Sequence, residues 1–417
     1  MRPAENIPAR HHIYYLTRPD FLKHDHIHRR KIDALAAAGL KASLIAFVPQ
    51  DLHRVRREDY ERAVSDRARR VVLANKPDEV NQKVWRFFAL RLLFLRRVLV
   101  HILLCDPAPL LKLKKLPILG RRLRVIIEHE GDIASECLYR WAYGKFEPPP
   151  DEPPAEFRAE YDYIVAKQKE ELLEVDGAIL VTKEHLALWQ KRLGSALNAL
   201  VLPTMFDSAQ FSFAAERRQA LRAELGLGGK LVLVYSGSVS MPWQRFEHVC
   251  RFTRELLSLG YPVCLLALVH TDGHPMAQKV IVQHGVEQAS LLRAVAPDQM
   301  AAWLSAADVA LFLRHNHVMN RIVTSAKLGE YMAAGLPLVT TWACPYFRPF
   351  AEAHSAALAI SDSLELSPEF KARFDVLAVQ GKDNAWRSKF SDAFKAAFSG
   401  ANDPMNQYVD FMANQLR

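Results

Sequence analysis

The chain has 417 residues, 50% of them hydrophobic, and a formal net charge of +9 at neutral pH. That length holds two cores rather than one, and the composition excludes a disordered or collagen-like chain. No run of about 18 uncharged apolar residues occurs, so no membrane-spanning helix is expected. The opening residues, Met1-Arg2-Pro3-Ala4-Glu5-Asn6, lack the apolar core of a signal peptide.

The first half alternates strand and helix. His12–Thr17 reads as a strand, His28–Ala38 as a helix stopped by Gly39, and Ala42–Val48 as a second strand. Val71–Leu73 is a short third strand. Lys83–Arg97 reads as a helix, Val98–Leu104 as an apolar strand, and Leu110–Lys115 as a short helix. Arg124–Glu128 and Val175–Thr182 are further strands, the latter leading into a helix near Lys183. The proline-rich run Phe146–Pro154 is neither helix interior nor central strand, so it reads as an extended loop. Alternation of this kind predicts a parallel sheet covered on both faces.

Charge is concentrated within this half. Between Lys83 and Arg124 there are eleven basic residues against Asp106 alone, interleaved with Trp85, Phe87, Phe88 and Phe94. Such a mixture suits a surface facing anionic lipid, or core helices whose Arg stems snorkel outward. Nucleic acid ranks last as a partner, because no recognition motif for it is present. His24, His26 and His28 do not share one helix face, and no carboxylate-rich partner accompanies them, so no metal is expected. The five cysteines, Cys105, Cys137, Cys250, Cys264 and Cys344, are scattered without a CxxC, as reduced thiols in a cytosolic setting would be.

The periodic pattern lapses at Leu202–Asp207 and a fresh cycle begins, with strands expected at Leu231–Tyr235, Val263–Leu268, Ala289–Leu292, Val309–Leu313 and Leu338–Thr340. Domains are therefore expected at residues 1–203 and 204–404, and a last helix at about 405–417 is expected to pack back on the first. After the first of these strands, Gly237 and Ser238 form a turn that allows close approach to a ligand. Arg314 ends a later strand, and Arg321 lies in the loop beyond it. Thr324 or Ser325 can cap the helix that follows, Lys327 and Glu330 share one face of it, and Gly335-Leu336-Pro337 ends it. A helix start with a nearby Lys suits phosphate, and a carboxylate one turn on can accept hydrogen bonds from ribose hydroxyls.

This run resembles the nucleotide-sugar site of glycosyltransferase family 4, whose members carry a Lys-x-x-Glu-Tyr-x-x-x-Gly-x-Pro-like helix and turn. Here those positions are Lys327, Glu330, Tyr331, Gly335 and Pro337. The resemblance implies an α/β protein of GT-B fold, two Rossmann-like doubly wound domains facing a central cleft. It further implies a retaining transferase that takes a nucleotide-diphosphate sugar as donor and needs neither metal nor cofactor. Family members often carry Arg after the turn glycine and Lys about five residues beyond; here those places hold Ser238 and Trp243, leaving Arg245, Arg314, Arg321 and Lys327 as the available cations. On the acceptor side, His129, Glu130 and Asp132 end a strand of the first domain and are the candidate catalytic groups. A glycan or lipid-linked acceptor fits the basic first domain, as does a cytoplasmic location, peripheral on the inner membrane face. A nucleotide-sugar 2-epimerase or a non-catalytic binding protein on the same fold are the alternatives.

Overall fold

A computed structural model describes residues 11–17, 25–49, 69–75, 79–204, 210–398 and 403–417. Within them the chain divides into two compact units. The first draws on Met1–Ala134, Ala155–Met205 and Ala401–Arg417; the second draws on Ser135–Pro154 and Phe206–Gly400. His24 lies outside the described residues, as do the side chains of His26 and His28.

The first unit is built on a parallel sheet of seven strands: β1 (His11–Thr17), β2 (Ala42–Pro49), β3 (Arg69–Asn75), β4 (Arg97–Leu103), β5 (Leu123–His129), β6 (Gly177–Leu180) and β7 (Ala199–Val201). Their order is β3-β2-β1-β4-β5-β6-β7. Alternate side chains point to opposite faces of a strand, and here both faces are buried. Ile13 and Tyr15 join one core with Leu99 and Leu103, while Tyr14 and Leu16 join another with Val98, Val100 and Ile102. The helix Pro404–Leu416 belongs to this unit. Met405, Tyr408, Val409, Met412 and Leu416 recur at helical spacing and enter the first of these cores. Its start is capped by Asp403, which pairs with Arg30 at 2.7 Å, and its end by Arg97, which donates to the Leu416 carbonyl.

A buried polar knot ties this helix to the sheet. Lys31 Nζ reaches the two oxygens of Glu128 at 2.5 and 2.7 Å, and His101 lies 2.9 Å from the same carboxylate. His101 Nδ1 meets the Tyr408 hydroxyl at 3.0 Å. Burial alone would raise the Glu128 pKa, but Lys31 and His101 together hold it at about 2.

The second unit repeats the architecture with six parallel strands: β8 (Leu231–Ser236), β9 (Val263–Leu268), β10 (Ser290–Arg293), β11 (Val309–Phe312), β12 (Leu338–Thr340) and β13 (Ala357–Ala359), ordered β10-β9-β8-β11-β12-β13. Again the residues divide by parity: Val232, Val234, Ala310 and Phe312 face one core, and Leu231, Leu233, Val309 and Leu311 the other. One buried arginine gathers the ends of two helices. Arg387 donates to the carbonyls of Leu304, Ser305 and Ala307 after the helix Met300–Ala306, and to those of Ala334 and Gly335 after the helix Ala326–Ala333. Carbonyls at a helix C-terminus lack the full set of intrahelical donors, and here the guanidinium, with Arg218 at Ser305 and Ala307, supplies them. Nearby, Arg218 and Arg222 hold Asp308, whose Oδ2 also accepts the Val232 amide at 2.7 Å.

The strands follow the apolar runs, with boundaries within two residues of those expected. Three features depart more clearly. Helix Val80–Phe94 starts and ends earlier than expected, because Arg97 already pairs with His11 in the sheet. The helices Ile133–Ala142 and Ala155–Glu174, absent from the expected pattern, flank the proline-rich run. The second of them fully buries only Gln168 and Leu172, so it shows no apolar stripe. The short strands β7 and β13 were likewise absent.

Replacing Arg387 with Leu removes a donor from five carbonyls at two helix ends. Ser305 and Ala307 keep Arg218 and Leu304 keeps the Ala307 amide, but Ala334 and Gly335 lose the guanidinium with no substitute among the described residues. The expected cost is about 3 kcal/mol or more, seen as a lower urea midpoint for the second unit. An unchanged midpoint would show that water replaces the guanidinium at little cost.

Candidate functional site

In an open parallel sheet, ligands bind beyond the carboxyl ends of the strands, at the point where strand order reverses. In the second unit that point lies between β8 and β11, which pair with each other while β9 and β12 extend to opposite sides. Gly237 immediately follows β8, and Arg314 follows β11 by two residues. The helix Ala326–Ala333 brings its side chains to the same place. Its Tyr331 hydroxyl accepts the Ser236 amide at 2.8 Å and donates to Ser236 Oγ at 3.2 Å. Burial raises the Tyr331 pKa to about 12 despite the two Ser236 bonds, which act the other way. The hydroxyl therefore keeps its proton. Lys327 passes over the turn so closely that a Cβ on Gly237 would sit 2.7 Å from Lys327 Cε. At φ +155° this glycine also holds a conformation that L side chains rarely adopt.

Arg314 is the electrostatic centre of the arrangement. It is 8% exposed, and no carboxylate pairs with it among the described residues. Its hydrogen bonds go to neutral acceptors at long range: Asn320 Oδ1 at 3.4 Å, Gln244 Oε1 at 3.3 Å and Cys344 Sγ at 3.8 Å. Its Nε has no partner at all. The guanidinium stacks over the Phe312 ring at 4.6 Å, and Thr341 Oγ1 both accepts from the Arg314 amide and donates to its carbonyl. The side chain is thus fixed but not neutralised. Lys327 is half-buried; burial lowers its pKa, Glu330 opposes that, and Arg314 adds to it. Two cations at one turn, one buried and one half-buried, with Glu330 the acid that acts on Lys327 and no carboxylate paired with Arg314, favour an anion.

The other expected donor-site residues are placed differently. Ser325 takes the N-cap position with extended backbone, but its hydroxyl accepts no helix N–H, contrary to the expected cap. Thr324 is buried beside it. Ser238 is exposed, with its Oγ 2.8 Å from Ser240 Oγ. Arg245 is buried in a left-handed conformation and pairs with Asp362 at 2.5 Å and with His248. Arg321 pairs with Asp151 at 2.5 Å and with Asn316. Both cations already have carboxylate partners, unlike Arg314. Trp243 stacks beneath Arg140 at 5.1 Å, beside Tyr139. Gln244, Asn320 and Thr341 went unnoticed in the sequence; only their position around Arg314 marks them.

Asp151 and Arg140 belong to the segment Ser135–Pro154, which joins the second unit through the loop between β11 and the Lys327 helix. His315 bridges Tyr139, at 2.6 Å, and Glu147, at 2.9 Å. His317 donates to the Pro150 carbonyl and accepts the Met319 amide. This segment fixes the loop that carries Arg314 and Asn320.

In the first unit, His129 ends β5 with Glu130 just beyond it, half-buried. Asp132 is fully buried and bound by both Nη atoms of Arg192, at 2.6 and 3.0 Å; Arg192 also donates to Tyr161 and lies over Trp189. Asp132 is therefore a structural anchor. His129 packs against Trp189, and its Nδ1 has no partner. Burial lowers its pKa to about 4, with Asp132 and Glu128 acting against the shift. His185, unremarked in the sequence, is brought down to about 3 by burial and His129, with Asp132 opposing and Arg192 assisting. Both imidazoles are neutral at pH 7. No group of three or more His, Cys, Asp or Glu residues among those described is arranged to hold a metal ion.

No family model matches the chain, and no curated protein matches it by sequence. Solved structures do match in fold. Anabaena HepE in complex with UDP is 13% identical, with a TM-score of 0.64 over 97% of this chain and 99% of that one. WaaG, a glycosyltransferase involved in lipopolysaccharide biosynthesis, is 14% identical, with a TM-score of 0.63 over 96% and 99%. A mutant of S. aureus TarM, in complex with fondaparinux, alpha-GlcNAc-glycerol and UDP, is 6% identical with a TM-score of 0.62 over 97% and 99%. The matches run the length of the chain. Its fold is GT-B, the fold implied by the resemblance to glycosyltransferase family 4.

Two outcomes follow. In Gly237→Ala the new Cβ would meet Lys327 Cε at 2.7 Å and Tyr235 Oη at 3.2 Å on a backbone that L side chains rarely adopt, so the turn should shift and Lys327 be displaced. Binding of a nucleoside diphosphate, read by calorimetry, should weaken on the order of tenfold; unchanged affinity would separate Lys327 from the site. For the histidines, folded pKa values near 4 and 3 lie below the unfolded value of about 6.5. Their contribution is then full above about pH 6.5 and is lost as pH falls toward the folded values. Urea midpoints should drop on acidification from about pH 7 to about pH 5, and His185→Phe should flatten that drop. An equal slope in the variant would contradict the assignment.

Proposed function

We propose that the protein is a retaining glycosyltransferase that moves a sugar from a nucleotide-diphosphate sugar to a glycan or lipid-linked acceptor, in cell-surface polysaccharide or glycolipid synthesis. The observation that carries this reading is Arg314: a buried guanidinium without a carboxylate, beside Lys327, at the strand-order reversal of the second unit. A departing diphosphate gains negative charge as the glycosidic bond breaks. Fixed cations that need no reorganisation lower the barrier to that step. Glu330, one turn along from Lys327, accepts hydrogen bonds from the ribose hydroxyls. UDP is the first nucleotide to test, since the matched HepE and TarM structures hold it. Acceptor recognition is assigned to the first unit, where His129 is neutral and its unpartnered Nδ1 can engage a sugar hydroxyl by a hydrogen bond. Retention of configuration rests on the family resemblance.

A non-catalytic binding role draws support from one feature, the absence of the family's Arg/Lys pair at Ser238 and Trp243. In this reading Arg314 and Lys327 carry that charge alone.

Incubation with UDP-sugars and a panel of saccharide and lipid-linked acceptors should release UDP and yield a glycosylated product by mass spectrometry. Lys327→Ala and Glu330→Ala should each lower turnover, the former on the order of a hundredfold. Conversion of the donor to its 2-epimer without transfer would establish the epimerase. Binding without turnover on any acceptor would establish the binding protein.

A further inference from the structure

Arg314 has few partners, and Asn320 is one of them: its Oδ1 lies 3.4 Å from Arg314 Nη1. Asn320 is fully buried, and its Nδ2 donates to the His315 carbonyl at 2.9 Å, which turns the amide oxygen toward the guanidinium. It stands in the four-residue helix Val318–Arg321, too short to hold its own shape. The hold comes from the helix start. His317 Nδ1 accepts the Met319 amide at 3.2 Å, and Asp151 Oδ1 accepts the Val318 amide at 2.7 Å. His317 Nε2 lies 2.9 Å from the Pro150 carbonyl. Resting on the donor-site reading above, we infer that His317 is a positioning residue for nucleotide binding: as a neutral imidazole it keeps Asn320 against Arg314, and on protonation it releases it.

The neighbours of this ring place its proton. An amide only donates and a carbonyl only accepts, so Nδ1 is bare and Nε2 carries the hydrogen. A second proton would go on Nδ1 and face the Met319 N–H, donor against donor, on a side chain 1% exposed. His315, two residues earlier, differs. Its Nδ1 meets the Tyr139 hydroxyl at 2.6 Å, which can turn and accept, and its Nε2 faces Glu147 at 2.9 Å, which gains from a positive charge. Arg245, Asp362 and His248 also surround His315. Acid sensitivity therefore belongs to His317.

The groups around His317 act in both directions. Burial is the largest influence and lowers its pKa; the Pro150 carbonyl and Asp151, 3.8 Å away, raise it, while Arg321 and His315 add to the lowering. The Tyr139 ring meets it edge-on at 5.1 Å. Protonation breaks the cap, frees the short helix to move and takes Asn320 from Arg314. The neutral ring goes with the binding form. Affinity is then full above the ordinary imidazole value of about 6.5 and is lost as pH falls toward the lowered folded value.

The test is calorimetry of UDP-glucose binding to the full-length protein at about pH 7.5 and about pH 5.5, wild type beside His317→Asn. The diphosphate of UDP-glucose is esterified at both ends and takes up no proton in this range. Asn keeps an oxygen for the cap and does not titrate. Wild-type affinity should fall on the order of tenfold on acidification, and that of the variant by less than about threefold. Binding to wild type at the lower pH should also release protons, read from buffers of different ionisation enthalpy, a measurement that needs no variant to fold. The variant should release fewer. Equal falls in the two proteins, or wild-type binding at the lower pH without proton release, would overturn the inference and leave the donor site standing. Absence of wild-type binding at the higher pH would overturn the donor-site reading, and this inference with it.

Discussion

A guanidinium taken out of water with nothing of opposite charge beside it is costly, and the second unit is organised around one. Arg314 is fixed by a stacked ring, by a threonine on its backbone and by three weak neutral acceptors. None of these neutralises it. Other buried arginines of the same unit have charged or repeated partners: Arg218 has Asp308 and three carbonyls, Arg387 the ends of two helices, and Arg245, whose Nε is also unpartnered, has Asp362. The absence of a carboxylate beside Arg314 is what the proposed anion site rests on.

Those partnered arginines also make the site possible. Arg387 holds the C-terminal end of the Ala326–Ala333 helix, Tyr331 holds its middle to the end of β8, and the helix start then sets Lys327 over Gly237. The segment Ser135–Pro154 holds the preceding loop through His315, His317 and Arg321. The first unit handles charge differently. Its buried ions are closed pairs, Lys31 with Glu128 and Arg192 with Asp132, and its buried histidines are neutral.

Both sheets were legible because parallel strands buried on two faces appear as unbroken apolar runs. The Lys327–Pro337 motif was legible because its parts are local: one helix, one stop, one strand. Arg314 stood out as a cation at a strand end. That its partners are neutral could not be read, since they include Gln244 and Cys344, far away in sequence. For the same reason Arg245 and Arg321 were indistinguishable from it; Asp362 and Asp151, which occupy them, are distant. The helix Ala155–Glu174 hid because it buries little, and His185 because nothing local separates a buried histidine from an exposed one.

Calorimetry of UDP binding to wild type and to Arg314→Gln tests the central claim most directly, because Gln removes the charge and keeps a polar side chain. The account predicts measurable affinity in wild type and a loss of about 2 kcal/mol or more in the variant, with no loss of thermal stability in the absence of nucleotide. A variant that binds as tightly as wild type, or that is destabilised without nucleotide while retaining affinity, would show Arg314 to be structural and would contradict the account.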